Sequence, residues 1–63
     1  MISVDSSFIA AVDYNQWSGT LVVFMHSGQS YEYHHMPVPV YAGLINAASI
    51  GIYYNAYVKG RYP

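Results

Sequence analysis

Apolar, β-branched and aromatic residues are concentrated in three runs in the first half of the chain. The runs are FIAAVDY (8–14), TLVVFMH (20–26) and QSYEYHH (29–35). NQWSG (15–19) separates the first two and Ser27-Gly28 separates the last two, and both connections have the composition of turns. The third run alternates along its length. The pattern predicts a three-stranded antiparallel meander.

The second turn predicts which side chains share a face of the sheet. A three-residue loop that ends at Gly28, with Gly28 in the left-handed conformation, is a common hairpin type. It pairs Met25 with Gln29, Val23 with Tyr31 and Leu21 with Tyr33. One face then carries Leu21, Val23, Met25, Tyr31 and Tyr33, and the other carries Val22, Phe24, Ser30, Glu32 and His34. A two-residue loop would mix the two sets. We therefore expect Tyr31 and Tyr33 to point into the core.

Two prolines end the sheet, because Pro37 and Pro39 donate no ladder hydrogen bond. Pro39 suits the first turn of a helix, and VYAGLINAA (40–48) follows with apolar residues at helical spacing. The residues expected on the core side of this helix are Val40, Leu44 and Ala47.

A second helix is predicted over IGIYYNAYVK (50–59), with Ser49 as its N-cap and Gly60 placed to end it. The stripe expected to face the core is Ile50, Tyr54 and Val58, and a second stripe beside it is Tyr53 and Tyr57. The predicted fold is α+β, a three-stranded antiparallel meander followed by two short helices on one face (βββαα). It forms a single domain over residues 1–63.

The composition favours a homo-oligomer over a monomer. The chain has 63 residues and no cysteine, so neither a disulfide nor a thiolate-bound zinc stabilises it. Hydrophobic residues make up 54% of the chain and charged residues only 8%. A chain of this size buries only about 60% of its unfolded surface, which is too little interior for so much apolar area. With a net charge of -1 there is little repulsion between copies, and we expect a homo-oligomer.

The charge pattern limits the partners. Lys59 and Arg61 are the only cations apart from the histidines, so the chain has no basic patch that could hold a long duplex. The segment MISVDSSF (1–8) lacks the features of a signal peptide, and no apolar run reaches the roughly 18 residues of a membrane span. We expect a cytoplasmic protein with no membrane partner.

No motif indicates catalysis, a cofactor or a metal ion. The spacing of serines, histidines and acids suggests no nucleophile with a base and an orienting group, and there is no phosphate-binding loop or dinucleotide fingerprint. His34 and His35 are adjacent on a strand and point to opposite faces, so they cannot hold one metal together. We expect a non-enzymatic protein, with His34 beside Glu32 on the solvent side.

The start of the second helix is the first candidate site. Its unpaired N–H groups attract anions, and Gly51 would let a phosphate approach the backbone. Charge from Lys59 and Arg61, and stacking faces from Tyr53, Tyr57 and Tyr62, would complete a nucleic-acid site. The alternative is structural: Ser49 only caps the helix, and Gly51 only permits close packing.

The second candidate is the sheet face that points away from the helices. Val22 and Phe24 lie there on the central strand, with Trp17 in the preceding turn. These apolar side chains are expected to form a subunit or partner interface. The alternative is partial cover by a neighbouring loop or terminus.

Taken together, the segments resemble the KTSC domain, a short bacterial and phage module that also occurs at the C-terminus of some lysyl-tRNA synthetases. The matching stretches are SSFI (6–9), VDY (12–14), TLVV (20–23), SGQSYEY (27–33), MPVPVYAGL (36–44) and AASIGIYYNAYVKGRYP (47–63). The more specific matches are the Y-x-Y centre and the segment with Ser49, Gly51, Tyr54 and Asn55. The chain departs from the family at Asp13, where glycine is usual, and at Val22 and Phe24, where polar residues are usual.

The resemblance implies RNA binding, which has been suggested for the family, and adds Asn55 to the candidate site. The leading hypothesis is therefore a binding module for RNA, other single-stranded nucleic acid or a nucleotide-like phosphorylated ligand. In an oligomer, repeated sites could also sequester a nucleotide signal, by analogy with sponge proteins. The alternative from another class is a protein–protein interaction module that uses Val22 and Phe24, with a phage protein acting on a host partner as one case.

Light scattering at micromolar concentration tests the expected self-association. The apolar composition predicts a mass well above the 7.1 kDa of one chain. A clean monomer at that concentration would contradict the prediction.

Overall fold

A computed structural model describes residues 2–4 and 6–62, which form an antiparallel sheet covered on one face by two helices. The strands are β1 (Ile2–Ser3), β2 (Ile9–Asn15), β3 (Thr20–Met25) and β4 (Ser30–Tyr33), and they lie in the sheet in chain order. The helices are α1 (Val38–Asn46) and α2 (Ile50–Tyr53), and α2 continues as a π-helical segment (Tyr54–Val58). The α+β class and the meander followed by two helices are confirmed, but the sheet has four strands and not three.

The missed strand is β1 at the edge of the sheet. Ile2 pairs with Val12 and Ser3 with Ala11, and Val4 N donates to Ala10 O at 3.1 Å just beyond them. Only two residues form this strand, so it is too short to give the alternation by which strands are recognised in a sequence. The prediction of three strands was wrong for this reason.

The β3–β4 hairpin has the predicted register. Val23 pairs with Tyr31 and Leu21 with Tyr33, and Met25 N donates to Gln29 O at 2.8 Å. Gly28 has φ +95° and its N–H donates to Met25 O at 3.1 Å, which closes the three-residue loop. The left-handed conformation explains why glycine is required there.

The core lies between the helices and the predicted inner face of the sheet. Its buried members are Ile9, Val12, Leu21, Val23, Met36, Leu44, Ile50, Tyr54 and Val58. Val22 and Phe24 lie on the opposite face and are partly exposed. Tyr33 is half-buried at the edge of the core, as expected for an inward residue.

Tyr31 departs from the prediction, because 45% of its surface is exposed. It shares the face of Tyr33 but lies two pairs closer to the hairpin turn, on the edge strand of the sheet. Its hydroxyl donates to Gln29 Oε1 at 2.9 Å, outside the core. The expectation that Tyr31 supports the core was therefore wrong.

The first helix begins at Val38 and has Pro39 in its first turn, as the proline pattern predicts, although it starts two positions early. Met36 anchors the segment before it: its N–H donates to Gly19 O at 2.8 Å, and its carbonyl accepts from Tyr14 Oη at 2.7 Å. Leu44 is fully buried. The helix therefore starts from a fixed point on the sheet.

The second helix has the predicted cap and the predicted buried stripe. Ser49 Oγ accepts from Ile52 N at 3.4 Å, and Gly60, with φ +77°, follows the end of the helical chain. Ile50, Tyr54 and Val58 are all buried. The prediction did not include the change at Tyr54, where Lys59 N donates to Tyr54 O at 2.9 Å, the five-residue spacing of a π-helix.

Replacing Leu44 by alanine tests whether α1 is part of the single core. The change should lower the free energy of unfolding by about 2–5 kcal/mol, because it leaves a cavity in a fully buried position. A matched control is Ile52→Ala, since Ile52 is 72% exposed, and this should change stability by no more than about 0.5 kcal/mol. Urea denaturation followed by circular dichroism measures both. Equal effects would contradict the described burial.

Candidate functional site

A groove of about 460 Å³ lies between the β3–β4 hairpin, the residues before β2 and the π-helical segment. Its walls come from parts of the chain that are far apart in sequence. The lining residues are Ser7, Phe8, Met25, His26, Ser27, Tyr31, Tyr33, Tyr54, Asn55 and Lys59. We call this site the tyrosine groove.

Three aromatic rings hold one another at the base of the tyrosine groove. Tyr54 is only 3% exposed, and its ring makes edge contacts with Phe8, at a centroid distance of 6.2 Å, and with Tyr33, at 6.0 Å. The Tyr33 and Tyr54 hydroxyl groups are hydrogen-bonded to each other. Edge-to-face contacts favour a defined ring geometry, so these rings form an ordered surface.

The environment of Tyr54 keeps its phenol neutral. Burial, followed by the hydrogen bond with Tyr33, raises the pKa of Tyr54 well above its ordinary value of about 10. The phenol is therefore a hydrogen-bonding group and not an anion at any physiological pH.

The rim of the groove is polar and partly cationic. Asn55 and Lys59 are both exposed, and four positions separate them, so they lie on one side of the helical chain. The exposed ring of Tyr31 is held across the groove by its bond to Gln29. The groove thus combines an aromatic face, an amide and an ammonium group.

His26 fixes the remaining wall. Its backbone N–H donates to Phe8 O at 2.9 Å, and its Nε2 donates to Ser6 O at 3.0 Å. These two bonds tie the hairpin turn to the segment before β2. The wall therefore has a defined position although it consists of loop residues.

The start of α2 borders a separate hollow of about 350 Å³, which shares Ser7, Phe8 and Asn55 with the tyrosine groove. Ser49 caps the helix there, and a Cβ at Gly51 would lie 2.7 Å from Phe8 Cε1. Phe8 therefore packs closely against Gly51, on the side where a Cβ would lie. The geometry therefore supports the structural alternative, in which Ser49 caps and Gly51 permits packing.

The other aromatic and cationic candidates lie outside the tyrosine groove. Tyr53 donates to Val40 O at 3.1 Å and contacts Tyr57 at a centroid distance of 4.7 Å, next to α1. Tyr62 packs against the core, and Arg61 is exposed after the helix. Of the residues predicted for the nucleic-acid site, the structure brings only Asn55 and Lys59 into this groove.

Sequence reasoning missed the groove residues that come from outside the last helix. Phe8 and His26 lie in a loop segment and a turn, which carry no periodic signal. Tyr31 and Tyr33 were recognised as sharing a face but were assigned to the core. The alternating Y-x-Y pattern on an edge strand was the available signal for them.

The proposed interface residues do not share one concavity. Trp17 is 90% exposed in the β2–β3 turn, where Asn15 Oδ1 accepts from Trp17 N at 2.9 Å and from Ser18 N at 3.4 Å. The concave surface beside it is lined by Asp13, Tyr14, Asn15, Gln16, Trp17, Ser18, Thr20 and Tyr41, and neither Val22 nor Phe24 contributes.

The rings beside Trp17 are also ordered. Tyr14 and Tyr41 stack at a centroid distance of 4.3 Å. Burial, then the Asp13 carboxylate and then Tyr14, raise the pKa of Tyr41. This surface is separate from the tyrosine groove.

Three further features of the described chain bear on function. His34 Nε2 lies 3.2 Å from Glu32 Oε1, which confirms the predicted pair. In residues 2–4 and 6–62, no group of three or more histidines and acids is placed to hold a metal ion. In the same residues, no helix has the length and apolar character needed to cross a membrane.

Comparison with known proteins gives a consistent relationship over nearly the whole chain. The KTSC domain family model matches residues 5–62. The chain is 36% identical over 98% of its length to a lysine–tRNA ligase of a Nostoc species, and 34% identical to the same enzyme of Trichormus variabilis and of Nostoc punctiforme. It spans only 11% of the length of these relatives. A crystal structure of a KTSC domain protein from Yersinia pestis superposes with a TM-score of 0.93, covering 97% of this chain and 86% of that one at 23% identity.

The raised pKa of Tyr54 predicts that the free energy of unfolding decreases at alkaline pH. The unfolded chain ionises this phenol near pH 10, whereas the folded chain holds the proton to higher pH. Its contribution to the free energy of unfolding is therefore complete below pH 10 and is lost as pH rises above 10. Urea denaturation from pH 8 to pH 11 should show a steeper loss for the wild type than for Tyr54→Phe. Parallel curves would contradict the assigned environment.

Proposed function

Because the chain belongs to the KTSC domain family, we propose that it is a non-enzymatic module that binds a short single-stranded RNA or a nucleotide in the tyrosine groove. The lysine–tRNA ligases among its relatives support an RNA-related role for the family. The proposal itself rests on the groove and not on the activity of those longer enzymes.

One observation carries the proposal: an exposed tyrosine ring and a lysine line the same groove. Tyr31 offers an aromatic face on which a base can stack, a contact that contributes about 1–3 kcal/mol per base in single-strand binding proteins. Lys59 supplies the positive charge that a phosphate requires. A nucleotide has both groups.

The charge of the groove favours a small ligand. Lys59 is the only lysine or arginine that lines it, since Arg61 lies outside. Each neutralised phosphate of a single strand contributes about 0.7 to the slope of log affinity against log salt. One cation therefore supports binding of a few nucleotides and gives a shallow salt dependence. In a homo-oligomer, each copy would present such a site, and the assembly could sequester a phosphorylated ligand.

The exposed indole of Trp17 favours a second candidate function, a protein–protein contact. The backbone N–H groups of Trp17 and Ser18 donate to the Asn15 side chain, which orders the turn that carries this exposed ring. Val22 and Phe24 would extend this contact surface over the uncovered sheet face. The absence of nucleotide binding, together with loss of a partner complex in Trp17→Ala or Phe24→Glu, would favour this function.

Fluorescence anisotropy with a labelled short RNA strand tests the proposal. Tyr31→Ala should weaken binding by about 5- to 150-fold, the loss of one stacked base. Lys59→Ala should weaken it and reduce the salt slope by about 0.7. Both side chains are exposed, so the variants should fold, which circular dichroism checks.

Two matched controls lie outside the groove. Arg61→Ala removes an exposed cation and Tyr57→Ala removes a ring that is 58% exposed, and both should bind as the wild type does. Absence of RNA and nucleotide binding would overturn the proposal. Equal losses in Arg61→Ala and Lys59→Ala would overturn the choice of groove.

A further inference from the structure

The hydroxyl pair at the base of the tyrosine groove has unused hydrogen-bonding capacity. Each tyrosine hydroxyl has one proton to donate and lone pairs to accept. The bond between Tyr33 and Tyr54 uses only one of the two protons. In the described part of the chain, neither hydroxyl has a second hydrogen-bond partner. One O–H group of the pair is therefore available as a donor.

That donor is located where a ligand would need it. Tyr54 is 97% buried by residue, since only 3% of its surface is exposed, and yet both tyrosines line the groove. A ligand that displaces water from the groove leaves this donor without an acceptor unless the ligand supplies one, and an unpaired donor is unfavourable. A ligand that brings an acceptor to the groove avoids this cost, whereas an apolar ligand does not.

A second polar group stands next to the pair. The exposed Asn55 side chain lines the same groove, and within residues 2–4 and 6–62 its amide makes no hydrogen bond to the protein. An amide offers both a donor and an acceptor. Tyr54 and Asn55 both line the groove, so the phenol and the amide are both available to a ligand bound there.

We propose that the groove binds a single nucleobase by its edge: a carbonyl oxygen or ring nitrogen of the base accepts from the Tyr33–Tyr54 hydroxyl pair, Asn55 pairs with the adjacent position, and the ring lies against Tyr31. This inference rests on the proposed function and deepens it by assigning the ligand class. The ligand is one nucleotide unit, with its phosphate toward Lys59. A ribose phosphate without a base does not meet these requirements.

The chemistry of the pair also sets the selectivity. The raised pKa of Tyr54 keeps its phenol protonated, and so a potential donor, across the physiological range. Every natural base has an acceptor at its edge, and the Asn55 amide can present either of its ends. The groove therefore discriminates a base from no base much more strongly than it discriminates among bases.

Isothermal titration calorimetry with uridine 5′-monophosphate and with ribose 5-phosphate tests the inference. The wild type should bind the nucleotide at least about tenfold more tightly, because only the nucleotide gains the stacking and edge contacts. This comparison needs no substitution. Equal affinity for the two ligands would overturn the inference.

The double variant Tyr33→Phe with Tyr54→Phe isolates the hydroxyl pair, because a single replacement would leave one free O–H. It should bind the nucleotide about two- to twelvefold more weakly and leave ribose 5-phosphate binding unchanged. Tyr53→Phe is the matched control, since that hydroxyl donates to Val40 O outside the groove. It should bind the nucleotide as the wild type does.

The outcomes separate this inference from the proposed function. If Tyr31→Ala and Lys59→Ala weaken nucleotide binding while the double variant matches the wild type, the edge contact is overturned and the proposed function stands. Binding of a short RNA strand but not of the mononucleotide also overturns the inference alone. If neither RNA nor mononucleotide binds, both are overturned.

Discussion

Tyr54 connects the last helix to the sheet, and the groove depends on that connection. Its ring packs edge-on against Phe8 and Tyr33, and its hydroxyl bonds to that of Tyr33. Phe8 in turn lies against Gly51, where any larger residue would displace it. One side chain thus fixes the position of the segment before β2, of β4 and of the helix start. Those are the elements that form the groove.

The π-helical segment begins at the same residue. Its wider turn starts at Tyr54 and ends with the bond from Lys59 N to Tyr54 O. The Tyr54 side chain is buried at one end of this turn, while Lys59 is exposed at the other. Segments of this kind recur at functional sites because they alter the direction of side chains relative to a regular helix. Here the segment places an amide and an ammonium group at the rim of an aromatic floor.

Local chemistry made most of the fold predictable. Gly28 determined the hairpin register, and Ser49 and Gly60 marked the limits of the second helical chain. The buried stripe of Ile50, Tyr54 and Val58 followed from helical spacing. These features depend on neighbours in sequence. The two-residue strand β1 did not produce a recognisable pattern, because so few positions cannot show a period.

The groove was less predictable, because residues from distant segments form it. Alternation placed Tyr31 and Tyr33 on one face, but it could not show how far the helices extend along that face. Tyr31 is exposed, whereas Tyr33 on the same face is half-buried. For the same reason, the contact of Phe8 with Gly51 could not be derived from spacing.

Backbone amide shifts in a ¹⁵N-labelled sample titrated with a mononucleotide test whether the tyrosine groove is the binding site. We expect the largest shifts at Phe8, Tyr31, Asn55 and Lys59, which line the tyrosine groove. Shifts concentrated in the Trp17 turn, or no shifts at all, would contradict it.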